Sequence, residues 1–385
     1  MKYDFDEIIP RKGSHSYKWD YNTNENILPM WVADMDFRAA PPVIEALAKR
    51  VQHGIFGYTK VPSVYFDAII SWFKRRHQFH IEKEWLLVAA GVVPSISAVI
   101  KTLTEPGDQV IIQTPVYNRF FSVITNAKCK VLTNDLLYRD GKYSIDFDDL
   151  EKKAAHPLTK VFLLCNPHNP SGRVFTKEEL IRMGEICLKH GVTVISDEIH
   201  CDLIHPGHKH IPFASINQTF LENSVTCISP SKSFNLAGLQ VANIVAAKTE
   251  LRNKIETALK VSELYELNPF AVEGLIAAYN DGESWLEALN EYLFENYNYL
   301  KNFIEKNLSK FKVLPLEGTY LVWIDITASG LKSGEFARLL LEKENLWITH
   351  GTLYGDSGEG FIRINIGCPR KLLIEGLEKI KATFG

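Results

Sequence analysis

Several features that define other classes of protein are missing from this sequence of 385 residues. No stretch approaches the roughly 18 uninterrupted apolar residues of a membrane-spanning helix, and the N-terminus lacks the basic and apolar regions of a signal peptide. The formal charge is only -3 at pH 7 and no dense block of lysine and arginine occurs, so nucleic acid is a poor partner. We therefore expect a soluble, cytoplasmic protein that binds a small molecule and no membrane.

Sequence signals for disulfides, metals and nucleotides are also missing. The six cysteines show no Cys-x-x-Cys pair, and in a chain this long they are expected to be buried thiols. The histidines His205, His208 and His210 share a loop, but their spacing fits no common zinc pattern, so we predict no metal site. The glycines between 351 and 360 lack the G-x-G-x-x-G spacing of a nucleotide-binding turn.

Short apolar runs alternate with helical patterns between about residues 45 and 285. This alternation is typical of an α/β protein with a mostly parallel sheet flanked by helices. The clearest helix is 177–190, because Thr176 and Glu179 have capping-box spacing and Gly191 follows its end. The strand candidates, all short and largely apolar, are 110–113, 161–165, 192–196, 225–228 and 243–245.

The last hundred residues follow a different pattern, which predicts a smaller α+β domain. A long amphipathic stretch to Leu308 precedes strand patterns at 320–324 and 361–366 and helical patterns at about 333–343 and 370–383. The first forty residues contain several prolines and little periodicity, so we expect them to wrap onto this smaller domain. The predicted division is a large domain of residues 46–285 and a second unit formed by residues 1–45 and 286–385.

The run from Ser229 to Asn235 is the most informative stretch of the sequence. It places Lys232 among serine hydroxyls, directly after the apolar strand candidate 225–228. An aldehyde cofactor that carries a phosphate needs both an amine and small hydrogen-bond donors, so the run favours pyridoxal phosphate with Lys232 as its Schiff-base lysine. Taken alone, a solvated surface lysine is the commoner explanation.

Residues at the ends of other strand candidates support the cofactor hypothesis, because ligands of a doubly wound sheet bind at the carboxyl ends of its strands. After three of these strands, Asp197 offers a carboxylate to a pyridinium nitrogen, Asn169 an amide to a ring hydroxyl, and Tyr117 a ring for stacking. Gly91 precedes an apolar-periodic helix whose free amides suit a phosphate. Each of these residues alone is commonly a cap or a turn, but together with Lys232 they favour one site.

Longer strings of the sequence are similar to those of a known family. They are residues 29–37, 53–58, 165–173, 196–200 and 230–238. Over nearly its whole length the chain resembles the fold-type I pyridoxal phosphate enzymes of the class I/II aminotransferase superfamily, and more narrowly the MalY/PatB-type C–S β-lyases. This resemblance implies α,β-elimination on L-cystathionine or other cysteine S-conjugates, which yields pyruvate, ammonia and a thiol such as homocysteine.

The resemblance also implies roles for single residues. Those around the cofactor are Lys232 at the aldehyde, Asp197 at the ring nitrogen, Asn169 at the ring hydroxyl, Tyr117 stacked on the ring, and Gly91, Val92, Ser229 and Ser231 around the phosphate. Arg363 would bind the α-carboxylate of the amino-acid substrate. Tyr58 would reach the phosphate from the second subunit of a homodimer.

Two positions depart from the general aminotransferase pattern. Gln240 stands where those enzymes usually carry a phosphate-binding arginine, and His200 stands where they usually place a tyrosine near the ring hydroxyl. Both departures favour a lyase over an aminotransferase, which remains the alternative, as does, more remotely, a regulatory protein that binds the cofactor. The pocket for the substrate side chain depends on the loops Met30 to Phe37 and Tyr354 to Gly360.

Overall fold

The computed structural model describes residues 3–385. Its α-helices are α1 (Pro41–His53), α2 (Ser63–His77), α3 (Val92–Leu103), α4 (Arg119–Asn126), α5 (Phe147–Ala154), α6 (Lys177–Lys189), α7 (Gln218–Glu222), α8 (Thr249–Val261), α9 (Pro269–Asp281), α10 (Glu283–Asn307), α11 (Ser333–Glu344) and α12 (Arg370–Phe384). Its β-strands are β1 (Leu28–Pro29), β2 (Leu86–Ala89), β3 (Gln109–Ile112), β4 (Lys130–Thr133), β5 (Leu137–Arg139), β6 (Lys142–Ser144), β7 (Thr159–Cys165), β8 (Thr193–Asp197), β9 (Ser224–Ile228), β10 (Ala242–Val245), β11 (Lys312–Val313), β12 (Leu321–Asp325), β13 (Leu346–Trp347), β14 (Thr349–His350) and β15 (Phe361–Asn365).

A seven-stranded sheet in the order β2-β10-β9-β8-β7-β3-β4 forms the centre of the molecule. The strands β3, β4, β7, β8 and β9 pair in parallel, whereas β10 runs antiparallel to both β9 and β2. Because β10 runs in the opposite direction, its first residues lie at the edge of the sheet where β2, β7, β8 and β9 end. The predicted α/β class with a mostly parallel sheet is therefore confirmed.

The sequence pattern predicts most strands of this sheet because its middle strands are buried on both faces. Every residue of β9 and β10 is buried, and so is all of β7 except Lys160, which fits the continuous apolar runs in the sequence. The five predicted strands match β3, β7, β8, β9 and β10 to within two residues at each end. The capping box of α6 is present as predicted, with both the Thr176 and the Glu179 side chains bonded to backbone amides.

A second sheet of four antiparallel strands, in the order β11-β12-β15-β14, lies in the C-terminal part of the chain. The amphipathic stretch that precedes it is α10, a helix of 25 residues, and α11 and α12 occupy the other two helical patterns. The predicted domain boundaries fall inside α1 and in the first turn of α10. The two-domain division itself stays a prediction.

The N-terminal segment up to α1 has almost no regular structure beyond the two residues of β1, which pair in parallel with β13. Ion pairs hold it in place. Arg11 binds Asp34 at 2.9 Å and Asp36 at 2.6 Å, and Lys18 binds Asp36 at 2.7 Å. Lys18 and Asp36 are both nearly inaccessible to solvent, so loss of Asp36 would remove the 2.7 Å partner of the buried Lys18 ammonium, whereas Asp36 would keep Arg11 if Lys18 were lost.

Among residues 3–385, no helix combines the length and the apolar character that crossing a membrane requires.

Candidate active site

A cavity of about 520 Å³ opens at the edge of the large sheet where the parallel strands end. This volume suits a small organic ligand. The residues that line it are Tyr17, Trp31, Val32, Ala33, Asp34, Ala90, Gly91, Val92, Val93, Pro94, Tyr117, Asn118, Arg119, Cys165, Asn169, Asp197, Ile199, His200, Ser231, Lys232, Ala237, Gln240, Val241, Thr349, Leu353, Tyr354 and Arg363. The structure therefore brings nine of the eleven predicted site residues into one cavity, all except Ser229 and Tyr58.

Lys232 lies in the turn after β9 and lines the cavity. Its Nζ atom donates a hydrogen bond of 2.5 Å to the carbonyl oxygen of Ala33. Desolvation, together with the charge of Arg363, lowers the pKa of the Lys232 ammonium to about 8, although Asp34 and Asp197 oppose the fall. About a tenth of the amine is therefore unprotonated and nucleophilic at pH 7, far more than for an ordinary lysine.

The segment that supplies the Ala33 carbonyl is itself fixed from two sides. Asn235, just after the lysine, accepts a hydrogen bond from Met35 N and donates to the carbonyl oxygens of Met35 and Phe37. Asn365, at the end of β15, donates to the carbonyl oxygens of Val32 and Asp34. Side chains from the turn after β9 and from the end of β15 thus position this irregular segment against Lys232.

Asp197 is the last residue of β8, and its side chain is buried in the cavity floor. Burial raises the pKa of its carboxyl to about 7, and the nearby Glu198 adds to the rise. The amide of Ile199, which donates at 3.1 Å, and the charge of Lys232 oppose it. A buried carboxylate of this kind would be stabilised by a cationic group in the cavity.

His200 lies three residues beyond Asp197 and is also buried in the wall. Burial lowers the pKa of its imidazole to about 3, and the positive charges of Lys232 and Arg363 contribute, so the ring is neutral. Its Nδ1 atom is buried and has no hydrogen-bond partner among residues 3–385. Such an unsatisfied atom beside a cavity indicates a place for a polar group of a ligand.

Arg363 lies in the middle of β15 and is only 5% exposed. Its guanidinium donates to Asn169 Oδ1 at 3.0 Å and to the Trp31 carbonyl oxygen at 2.6 Å, and it lies 5.0 Å from the ring centroid of Tyr354. The Nε atom is buried and unpartnered. No carboxylate neutralises this cation within residues 3–385, which suits a site for an anionic substrate group.

The N-terminus of α3 forms the other end of the cavity. The helix begins after Gly91, whose φ of 110° is accessible to glycine, and no side chain caps it. Val92 and Val93 therefore present free backbone amides and the positive end of the helix dipole to the cavity, whereas the Gly91 amide donates to the Ala89 carbonyl oxygen at 2.9 Å. Ser231 lines the same cavity and adds a hydroxyl.

Ser229 does not line the cavity, contrary to its predicted place around the phosphate. Its hydroxyl donates to the Val241 carbonyl oxygen at 2.6 Å and lies 2.9 Å from Ser231 Oγ, and it accepts a hydrogen bond from Ser231 N. Ser229 thus lies behind the wall and positions Ser231. A sequence pattern alone does not distinguish the roles of two serines that are two residues apart in a turn.

Tyr58 lies outside the cavity, in the segment between α1 and α2, and its side chain is fully exposed.

Tyr117 lines the cavity, and burial raises the pKa of its phenol. The amide oxygen of Asn169 is occupied by Arg363, which leaves the Asn169 NH₂ group as the donor for a ligand. Sequence reasoning missed Tyr17, because an exposed tyrosine in an irregular segment carries no periodic signal.

The loop histidines make internal contacts. His205 Nε2 lies 2.8 Å from the Thr319 carbonyl oxygen, and His210 Nε2 lies 3.0 Å from a Glu198 carboxylate oxygen. Within residues 3–385, the one cluster with spacing suited to metal ligands is His77, Cys201 and Asp202. Asp202 already accepts hydrogen bonds from Trp72 and pairs with His77 at 2.8 Å, so the cluster is satisfied as a buried polar network.

The fold is that of the fold-type I pyridoxal phosphate-dependent transferases, as the sequence predicts. The chain belongs to the aminotransferase class I and II family, whose family model matches residues 26–380. It is similar to the cystathionine beta-lyase PatB of Bacillus subtilis (strain 168), with 45% identity over 99% of this chain and 99% of that protein. It is also similar to protein MalY of Escherichia coli (strain K12), with 34% identity over 97% of each chain.

A solved structure gives the same result. The PLP-bound C–S lyase from Staphylococcus hominis superimposes with a TM-score of 0.94 and 35% sequence identity, over 100% of this chain and 98% of that one. The predicted resemblance to the MalY/PatB-type C–S lyases is therefore confirmed.

Proposed function

We propose that this protein is a pyridoxal phosphate-dependent C–S β-lyase that acts on L-cystathionine or other L-cysteine S-conjugates. The observation that carries the proposal is the meeting of Lys232, Asp197 and Arg363 in one cavity. These residues supply an amine from the turn after β9, a buried carboxylate from the end of β8 and an unneutralised guanidinium from the middle of β15. The similarity to the cystathionine beta-lyase PatB and to the C–S lyase of S. hominis supports the same activity.

The cavity residues fit the cofactor on structural grounds. The uncapped N-terminus of α3 and the Ser231 hydroxyl suit its phosphate, and the Asp197 carboxylate suits its ring nitrogen. The unpartnered His200 Nδ1 and the Asn169 amide lie where a ring hydroxyl needs partners. When bound, pyridoxal phosphate provides an aldehyde for an amine and a ring that accepts the electron pair released at Cα.

The protein residues then have distinct tasks. Arg363 binds the α-carboxylate through the donors that Asn169 and Trp31 do not occupy, and so orients Cα. Lys232, whose pKa is about 8, accepts the proton from Cα through its Nζ atom. The Cβ–S bond breaks with its electron pair on sulfur, the thiolate takes up a proton, and water converts the remaining fragment to pyruvate and ammonia.

An aminotransferase is the competing function, because it needs the same amine, carboxylate and guanidinium. Gln240 favours the lyase. It lines the cavity at a position where the aminotransferase pattern has a phosphate-binding arginine. Phosphate binding in this protein must depend more on backbone amides and hydroxyls.

The two functions are separated by products. Purified protein loaded with pyridoxal phosphate is incubated with L-cystathionine, and pyruvate, ammonia and free thiol are measured. The lyase proposal predicts the three products in equal amounts. Transfer of the amino group to a 2-oxo acid, without thiol release from any cysteine S-conjugate, would show an aminotransferase instead.

We also propose that the protein is a homodimer in which Tyr58 completes the partner's cofactor site. The support is a group of exposed apolar side chains around Tyr58, namely Val51, Ile55 and Phe56, at 55%, 67% and 54% exposure. Several large apolar side chains exposed within one short segment commonly mark an interface. A fully exposed Tyr58 that does not line its own cavity suits a role in a neighbouring one.

Subunit mixing tests the dimer. The variants Tyr58→Ala and Lys232→Ala are each expected to have little activity. If Tyr58 acts across the interface, a mixed dimer contains one site with both residues intact, so mixing the variants restores up to about a quarter of wild-type activity. A monomer in sedimentation experiments, or no recovery on mixing, would contradict the proposal.

Two further assignments accompany this function. We propose a cytoplasmic location, which the six free and buried thiols support, because oxidising compartments favour disulfides.

We also propose the division into residues 46–285 and the remainder, since the cavity takes Lys232 from the first part and Arg363 from the second. Ligands commonly bind between two such units.

A further inference from the structure

We infer that the protein prefers cysteine S-conjugates whose sulfur carries an apolar group, above all an aromatic one. The inference rests on the proposed C–S lyase activity and specifies its substrate class. Four aromatic rings, those of Tyr17, Tyr21, Trp31 and Trp347, form a continuous surface at the mouth of the cavity. We call them the aromatic quartet.

The rings of the quartet contact one another closely. Trp31 and Trp347 are stacked, with ring centroids 4.4 Å apart and an interplanar angle of 8°. Tyr17 lies 5.5 Å from Trp31, and Tyr21 lies 5.6 Å from both tryptophans. Tyr17 and Tyr21 are nonetheless 61% and 60% exposed. An exposed cluster of large rings of this kind marks a binding surface more often than a structural core.

The quartet lies at the substrate end of the cavity. Trp31 and Tyr17 both line the cavity, and the Trp31 carbonyl oxygen is 2.6 Å from the Arg363 guanidinium. In the proposed function Arg363 holds the α-carboxylate, and the sulfur is only three bonds from that carboxylate carbon. A group on sulfur therefore extends within reach of Trp31 and Tyr17, whereas Gly91 and Ser231 form the opposite, phosphate end.

Few charged groups in the cavity are available to bind a charged substituent on the sulfur. Asp34 pairs with Arg11, and Asp197, Lys232 and Arg363 have roles in the proposed reaction. Arg119 is the one lining charge without either an ion-pair partner in residues 3–385 or a proposed role. It is exposed at the start of α4.

Apolar groups also line the cavity. Val32 and the 41% exposed Leu353 line the same cavity, and the phenol ring of Tyr354 is buried beside Arg363. Aromatic rings stack on such surfaces and gain free energy beyond the area that they bury. An aromatic sulfur substituent thus meets matching chemistry, whereas the only unpaired charge for the far end of L-cystathionine in residues 3–385 of the cavity lining is the exposed Arg119.

The inference is tested with three substrates: S-benzyl-L-cysteine, S-methyl-L-cysteine and L-cystathionine. Pyruvate release gives kcat/KM for each with the wild-type holoenzyme and with Tyr17→Ala, Tyr17→Phe and Arg119→Gln. We expect wild type to favour the benzyl over the methyl substrate about tenfold or more. Tyr17→Ala lowers that ratio about three- to tenfold, and Tyr17→Phe, which keeps the ring, retains it.

Ile8→Ala is the matched control, because Ile8 is a 47% exposed apolar residue of the same N-terminal segment that does not line the cavity. It is expected to leave all three rates unchanged. Equal use of the benzyl and methyl substrates by wild type would overturn the inference, whatever the variants do. So would an unchanged ratio in Tyr17→Ala, or a preference for L-cystathionine that Arg119→Gln abolishes. Absence of pyruvate from all three substrates would refute the proposed function instead.

Discussion

The Nζ atom of Lys232 donates a hydrogen bond of 2.5 Å to the carbonyl oxygen of Ala33, a residue 199 positions earlier in the chain. The amine that would bind the cofactor is thus held at a defined point of the cavity wall by backbone from the N-terminal segment. Tyr320 donates to the same carbonyl oxygen at 3.0 Å. The Ala33 carbonyl oxygen therefore links the lysine to Tyr320, the residue that directly precedes β12 of the four-stranded sheet.

Replacement of Lys232 with alanine should remove the reaction and the visible absorption of covalently bound cofactor. The reason is that no other amine lines the cavity in residues 3–385. The measurements are the absorption spectrum after dialysis and pyruvate release from L-cystathionine. Lys254→Ala, which changes an exposed lysine paired with Glu250, serves as the control and should behave as wild type. Retained activity in Lys232→Ala would refute the assignment.

Capture of pyridoxal phosphate by the cofactor-free protein should accelerate as pH rises and level off above about pH 8. Only the neutral amine attacks an aldehyde, and desolvation lowers the pKa of Lys232 from 10.5 to about 8. Asp34 opposes this fall, so Asp34→Asn should move the midpoint to lower pH. Stopped-flow absorbance gives the rates, and Asp148→Asn, at an exposed site, is the control. A midpoint near 10 would contradict the prediction.

Asp197→Asn should stabilise the cofactor-free protein while it impairs the reaction. Burial raises the pKa of Asp197 from 3.8 to about 7, so the folded state retains a proton that the unfolded chain releases. The stability of the wild type should therefore fall as pH rises from about 4 to 7. Thermal melts at pH 8 should show Asp197→Asn more stable by about 1–3 kcal/mol, and melts at pH 4 should show little difference. An Asp197→Asn protein that is less stable than the wild type at pH 8 would contradict this prediction.

Arg363→Lys should raise KM for the amino-acid substrate far more than it changes the bound cofactor spectrum. Lysine keeps the charge but cannot donate to Asn169, to Trp31 and to a carboxylate in the same plane. Loss of about 3 kcal/mol of charge-assisted hydrogen bonding corresponds to a fall in kcat/KM of roughly 150-fold. Arg338→Lys, on the exposed face of α11, should have no effect. An unchanged KM would mean that another group binds the α-carboxylate.

Asn235→Ala should destabilise the protein by about 2–4 kcal/mol, because it removes three hydrogen bonds to Met35 and Phe37. Asn235 also has a φ of 57°, and the exposed Asp140 has a similar φ of 51°. The variant Asp140→Ala therefore measures the backbone cost alone. The difference between the two in denaturant unfolding isolates the hydrogen bonds. Equal losses would show that the Asn235 contacts contribute nothing.

Much of the large sheet could be predicted from the sequence, because its strands are buried on both faces and read as continuous apolar runs. The site residues that directly follow those strands, such as Asp197 and Lys232, could be predicted for the same reason. Tyr17 and the Ala33 carbonyl could not, since they belong to an irregular segment whose position depends on distant partners such as Asn235 and Asn365. The two edge strands of this sheet, β2 and β4, were also missed, and unlike the middle strands they are only partly buried.

The N-terminal segment builds one wall of the cavity without belonging to any helix or to either large sheet. Its side chains are therefore free of the periodicity that burial imposes on the strands, and exchange of a side chain such as Tyr17 leaves in place the Ala33 and Trp31 backbone carbonyls that contact Lys232 and Arg363. Proteins with this scaffold could acquire new substrates by exchange of this single stretch of chain. A chimera that carries residues 3–40 from a relative would transplant substrate choice while keeping the reaction.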